Sequence, residues 1–268
     1  MLVLAVLLVP GQAESQTLLE FTFPGRVEPR QRVQVANQIN GVVKMIHVEA
    51  GQRVTQGDLM YSLDDASYRI DVASAEAAVA EARARLALAE DVSGRQAQLQ
   101  QRGVGAAASA AQSVLEVNIA RAGVAKADAQ LQAARLALQR TQIYAPISGM
   151  AQRPKVAPGA FVEAEGGTVI GEIVQTDPVL VTYRVSYADR QKALISSGQA
   201  SVAELYKSVK LSLELPSGAI YPETGRALFE SSEIDGATGM LTVWGEFPNP
   251  LGTLIPGLDV SVVSKISR

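Results

Sequence analysis

From Ile39 to Asp65 the chain reads INGVVKMIHVEAGQRVTQGDLMYSLDD, apolar and polar residues alternating in short runs that break at glycine. Such alternation predicts short twisted strands with one face to bury. The pattern returns from Ile147 as ISGMAQRPKVAPGAFVEAEGGTVIGEI. At a constant offset of 108 residues, Ile39, Gly41, Val48, Gly51 and Val54 match Ile147, Gly149, Val156, Gly159 and Val162. After a gap of two residues, Leu59 and Leu63 match Val169 and Ile173. Ala50-Gly51 and Pro158-Gly159 predict equivalent turns, Gly57 and Gly166-Gly167 the next. Gly41, Gly51, Gly57, Gly149 and Gly159 are the expected structural turns of the two halves. One phrase has few strands and one apolar face, but two phrases can cover each other. The expectation is one small β-sandwich in two halves, residues 33–65 and 142–175.

The insertion between them, residues 66–141, changes period. Its first arm places Val72, Ala75, Val79, Ala82, Leu86 and Ala89 at three-four spacing; its second places Val117, Ala120, Val124, Ala127, Leu131, Ala134 and Leu138. A seam of large residues alternating with alanine predicts a coiled-coil hairpin of two closely packed helices. Asp64 or Asp65 is placed to cap the first helix, and Pro146 forbids continuation of the second. Gly103 and Gly105 suit the reversal, and Ser109 with Gln112 reads as a capping box reopening the second arm. Arms of roughly 35 residues would reach about 50 Å.

After Thr176 the alternation returns. PVLVTYRVS, VKLSLELPSG, GRALFESSEID, GMLTVWGEFPNP and GLDVSVVSKI read as strands separated by Ser-Gly, Gly-Ala-Thr-Gly, Asn-Pro and Pro-Gly turns, and YADRQKALISSG as a short helix ended by Gly198. This predicts a small antiparallel β-barrel over 176–268, with Phe229, Trp244 and Phe247 in its core. Before the first half-motif, TLLEFTFPGRVEPR reads as one or two strands within 17–32. The fold class is therefore mainly β, an elongated chain of modules carrying a long helical hairpin. Residues 1–16 hold an apolar run with a small-x-small site at Gly11 and Ala13. That reads as an export signal or the remnant of an anchor, with a buried N-terminal strand as the alternative.

Composition narrows the chemistry. The 268 residues carry a net charge of -3 and no basic block, so nucleic-acid binding has no electrostatic footprint. With no cysteine and one histidine, His47, thiolate sites, disulfides and multi-histidine metal sites are excluded. No phosphate loop occurs. Asp64-Asp65 is better explained by capping than by acid-base work, and no catalytic residues, cofactor or metal ligands are expected.

In combination, GRVEP, the first half-motif ending SLDDASY, the heptad arms, TQIYAPISGM, GEIVQTDPVLVTYRVS and GATGMLTVWGEFPNPLGTLIPGLDVSV carry a resemblance. The chain resembles the periplasmic adaptor subunits, or membrane fusion proteins, of tripartite efflux pumps. Within them it is most similar to the branch serving resistance-nodulation-division (RND) transporters. The half-motifs then resemble a split lipoyl-like domain, the fold that biotin and lipoate carriers share. The resemblance implies a non-enzymatic adaptor in the periplasm, associated with the inner membrane of a Gram-negative bacterium. It implies an inner-membrane RND transporter and an outer-membrane channel as partners, self-association into a ring (trimer or hexamer), and no nucleic acid. The family's hairpin tip commonly carries an arginine, a leucine four residues on and a serine seven further. Arg95 and Leu99 match the first two, whereas the serine position is Ala106 and Ser109 lies three residues later. Family members also continue well past the barrel, so 17–32 is expected to be part of an incomplete membrane-proximal domain with little to pair with. An adaptor of an ABC exporter or of a type I secretion system is the alternative within the class. A lipoyl or biotinyl carrier is the alternative outside it. Lys44 and Lys155 both lie away from the joint between halves, where a carrier presents its lysine.

Overall fold

The computed structural model describes residues 17–104 and 106–267. The signal or anchor expected in 1–16, and Gly105 of the expected reversal, lie outside the described residues. The chain divides into two compact units, residues 33–173 and, in the second, the residues up to 32 together with those from 174 on.

In the first unit the half-motifs become equivalent strands. The first gives β2 (Gly41–Ile46), β3 (Arg53–Val54) and β4 (Leu59–Leu63); the second gives β6 (Gly149–Ala151), β7 (Phe161–Val162) and the start of β8 (Val169–Ser186). The halves exchange strands. β2 pairs with β7 through Gly41 and Val162, and β3 with β6 through Val54 and Gly149, the same positions of the repeat with roles reversed. β5 (Gln142–Tyr144) adds to β4. Met60, Tyr61, Leu63, Ile170 and Ile173 fill the core that neither half could close alone.

The five glycines divide. Gly51, Gly57 and Gly159 sit in turns with φ of +81°, +93° and +88°. Gly41 and Gly149, expected in turns, instead open strands β2 and β6. Gly41 answers to close packing, because a Cβ there would stand 3.3 Å from Leu63 Cδ1. At Gly51 the surrounding space is open, so only the left-handed backbone excludes a side chain. Gly51→Val should therefore cost about 1–2 kcal/mol, and Gly51→Asn distinctly less. Thermal melting checks this, and equal melting of the two variants would remove the backbone argument.

Between the halves stand two long helices, α1 (Ala66–Gln101) and α2 (Ala107–Gln139). They account for 36 and 33 residues, so the architecture is mixed rather than mainly β. They run antiparallel, as the cross-helix ion pairs Glu76–Arg135 (2.7 Å), Arg83–Asp128 (3.2 Å) and Glu90–Arg121 (3.3 Å) require. Every expected seam residue is buried or partly buried, with Val79, Ala127 and Leu131 the most enclosed. The seam continues outward as Ser93 and Ser113, whose hydroxyls lie 3.3 Å apart. At the start of α1, the Asp64 carboxylate accepts the Ala66 N–H at 3.1 Å, while Asp65 is drawn to Arg69 at 2.7 Å. α2 begins at Ala107 with Ala106 as its cap, two residues before the expected Ser109 box. Gln112 bonds Glu116 one turn on, so the box does not form. A run of alanines extends the helix past a polar cap because alanine has the highest helix propensity.

In the second unit the strand order is β1-β12-β9-β10-β11-β8, and β1 and β8 also pair with each other. The members are β1 (Thr17–Ala36), β8, β9 (Val209–Glu214), β10 (Gly225–Glu230), β11 (Met240–Phe247) and β12 (Asp259–Ser267). β1 is one strand and has a partner: positions 17–26 run antiparallel to β12. The resemblance to a family whose members continue past the barrel left that segment with little to pair with; β12, more than two hundred residues away in the chain, fills that place. Two helices lie between β8 and β9. α3 (Tyr187–Ser197) ends at Gly198 in the left-handed region as expected. α4 (Val202–Ser208) was not read from sequence, although a local cap marks its start: Ser201 Oγ accepts the Glu204 N–H and the Glu204 carboxylate accepts the Ala200 N–H.

Phe247 is fully buried in this unit, and a Cβ on Gly225 would overlap its ring. Two residues on, buried Asn249 donates to the carbonyls of Thr176 and Leu254 and accepts from the Leu254 N–H, pinning the loop after β11. Trp244, between buried Val243 and Gly245, is only partly buried and outside the core, and Phe229 departs from expectation too. It is half exposed and stacks on Trp244 with ring centroids 4.8 Å apart. Simple alternation puts it on the same face as buried Ala227, but a register shift between the two turns it outward.

Arg190 donates to both oxygens of Glu230, at 2.7 and 3.2 Å, and the Tyr206 hydroxyl donates to one of them at 2.5 Å. Burial pushes the Glu230 carboxyl up, but these donors outweigh it and hold it below the ordinary value of 4.5. Its contribution is thus complete above the unfolded value and fades as pH falls through the lower folded one. Glu230→Gln should melt lower than the parent near pH 7, with a smaller deficit at about pH 3. An equal deficit at both pH values would rule out this carboxylate as the titrating group.

Candidate functional site

Among the described residues no catalytic groups converge in the grooves seen. Among the described residues no three His, Cys, Asp or Glu side chains come together as metal ligands. His47 is exposed and bonds the Ser62 hydroxyl at 2.7 Å. Lys44 lies on β2, 4.0 Å from Asp65, and Lys155 follows β6. The joint where a carrier would present its lysine is occupied by the helices, which leave at Ala66 and return at Gln139.

The feature of the first unit with most reach is the outer end of the helix pair. Arg95 and Leu99 lie on the last turns of α1, and Ser109 on the first turn of α2. Arg95 is paired to Asp91 at 2.7 Å, both exposed, an ion pair too hydrated to hold the arginine away from a partner. Leu99 is 41% exposed and Val104, in the reversal, 75% exposed. The Val104 N–H donates to the Leu99 carbonyl at 3.2 Å, so the tip places two aliphatic side chains close along the chain and in water. Val104 was not singled out from sequence, where a lone valine between glycines has no period to flag it. Ser109 stands in the first turn, its backbone N–H on the Ala106 carbonyl at 3.1 Å. Further down α2, Leu115 and Ile119 are also exposed, off the seam and one turn apart. The arrangement offers contact surface and lacks reacting groups.

Comparison with known proteins identifies the family. Residues 31–175, the sandwich with its helical insertion, match the model described as RND MFP, barrel-sandwich hybrid domain. The chain belongs to the RND membrane fusion proteins. It is 29% identical over 242 residues to the Multidrug resistance protein MdtE of Escherichia coli K12, covering 90% of this chain and 62% of that protein. With the Multidrug resistance protein MexA of Pseudomonas aeruginosa PAO1 it shares 31% identity over 250 residues, covering 92% and 61%. This member of the family thus spans about three fifths of the length of those curated relatives. In fold it is similar to a crystallised MacA–MexA chimera containing the P. aeruginosa MexA α-hairpin domain, with a TM-score of 0.65, 19% identity, and coverage of 92% of this chain and 81% of that one. Among the described residues no helix is long and apolar enough to cross a membrane.

Proposed function

We propose that this chain is the periplasmic adaptor of a tripartite efflux pump, joining an inner-membrane RND transporter to an outer-membrane channel for export of small molecules. The observation that carries the reading is the match of residues 31–175 to the RND sandwich, supported by relatives whose names denote multidrug resistance proteins. In this reading the two long helices form a coiled-coil hairpin. Arg95, Leu99 and Ser109 meet the channel at its tip. The barrel, whose sheet takes in 17–26 of β1, grips the transporter together with a membrane-proximal domain. The subunits close into a ring around the conduit, as a trimer or hexamer. The role is mechanical, and it places the chain in the periplasm against the inner membrane. The test is dye accumulation in the source bacterium with the gene deleted and then restored at full length. Accumulation that rises on deletion and falls on restoration is the expected result. No change in either strain would refute an efflux role under those conditions and point to secretion.

A further inference from the structure

Where the helices rejoin the sandwich, a groove of about 580 Å³ opens within the unit 33–173. Its walls are residues 33–38 of β1 and the turn after it, residues 142–144 of β5, and Leu136 and Arg140 at the end of α2. Consecutive side chains of a strand point to opposite faces. A groove lined by unbroken runs of two strands therefore follows their edges, not their faces. Both edges are unoccupied by any strand among the described residues. β5 ends the order β5-β4-β2-β7. β1 has two neighbours, β12, which stops at Arg26, and β8, leaving one side of residues 33–36 without a partner.

A second observation points to a ligand. Asn37 is 97% enclosed (3% exposed) and lines the groove, and its Oδ1 has no hydrogen-bond partner. Its amide orientation is settled by the Ile39 carbonyl, which accepts from Nδ2 at 2.8 Å and can take only a donor. An unmet buried acceptor is costly; Oδ1 is itself enclosed, so an N–H from outside reaches it once the Asn37 side chain turns toward the groove. Around it the wall is rich in carboxamides, with exposed Leu136 and Tyr144 as apolar contacts. Arg140 is the one charged side chain among the described lining residues.

We propose that this groove is a strand-addition site for an extended peptide segment of a partner protein, neutral or acidic in side-chain character, with an aliphatic residue set against Leu136 and Tyr144. A peptide backbone is the ligand whose N–H and C=O groups recur along an edge with the strand period, which is what two unpaired edges can hold. One of its N–H groups meets Asn37 Oδ1 as that side chain turns toward the groove. The inference rests on the geometry of this unit and stands apart from the efflux reading.

The probe is a phage-displayed library of random nonapeptides panned against the intact chain, with the Leu136→Glu/Arg140→Glu double variant for counter-selection. Leu136 is an exposed helix position and Arg140 the exposed cap that follows α2, so both substitutions leave the core intact. Enriched sequences should lack basic residues, and the bound peptide should slow amide exchange at 33–38 and 142–144. Asn37→Ala, shown folded by its melting curve, should bind about five- to tenfold more weakly, the loss of one hydrogen bond. N-methylating the peptide at alternate residues should abolish binding in one alternation and spare it in the other, which a side-chain-only mode cannot produce. No enrichment over the double variant would mean a groove filled by water and would overturn the proposal. So would protection confined to other amides, or indifference to N-methylation.

Discussion

Replacing Gly171 with alanine should lower the melting temperature of the sandwich by about 6 °C, and adding Tyr61→Phe should restore much of the loss. A Cβ at Gly171 would overlap the Tyr61 hydroxyl and approach Cζ to 3.1 Å. Tyr61 is fully buried among Met60, Leu63, Ile170 and Ile173 and cannot swing away. Overpacking of this kind costs about 2–3 kcal/mol, near 6 °C for a chain of this size. The hydroxyl itself has no hydrogen-bond partner, and burial pushes its pKa up. Tyr61→Phe alone should therefore melt at or slightly above the parent, since deleting an unpaired buried hydroxyl can gain about 1 kcal/mol. In the double variant the nearest atom is gone. Melting of the four proteins as a mutant cycle tests the idea, and strict additivity would show that the two residues do not meet as described.

Leu99→Asp should abolish efflux while leaving the fold unchanged, the largest functional effect expected from one exposed residue. Leu99 is already half in water on the outermost turns of α1, so aspartate there displaces no core atom. In a docked pump the same side chain would be covered, and an unpaired carboxylate beneath a partner costs several-fold more than one at the surface. Dye accumulation in a strain carrying the variant should equal that of the deletion, with melting unchanged to within a degree or two. Full efflux by the variant would take the tip out of the mechanism and leave the barrel as the working contact.

The strands and helices were largely legible because each has its own period. The three-four seam from Val72 to Ala89 and from Val117 to Leu138 needed nothing beyond the sequence, since a helix face is a local property. The boundary at Ser109 was misplaced for the same local reason. A good capping box was visible, but the alanines before it prefer helix more strongly. α4 was overlooked because seven residues are too few for a period, although Ser201 and Glu204 announce it. Of the candidate tip residues, Arg95 and Leu99 emerged from resemblance alone, and Val104 beside them from neither period nor resemblance.

From order along the chain came the two half-motifs, the helical insertion and the kinds of element after Thr176, because alternation, heptads and turn residues are written within a few neighbours. Which strands pair was settled by the folded chain. β2 joins β7 and β3 joins β6 across the whole helical insertion, and β1 joins β12 across almost the whole chain. Such pairings depend on apolar faces meeting in space, and alternation is blind to distance. The outward turn of Phe229 came from a single bulge, and the carboxamide groove from two strand edges left without a partner. A one-dimensional pattern marks which residues can be buried. It takes the assembled sheets to show which edges and acceptors remain unpaired.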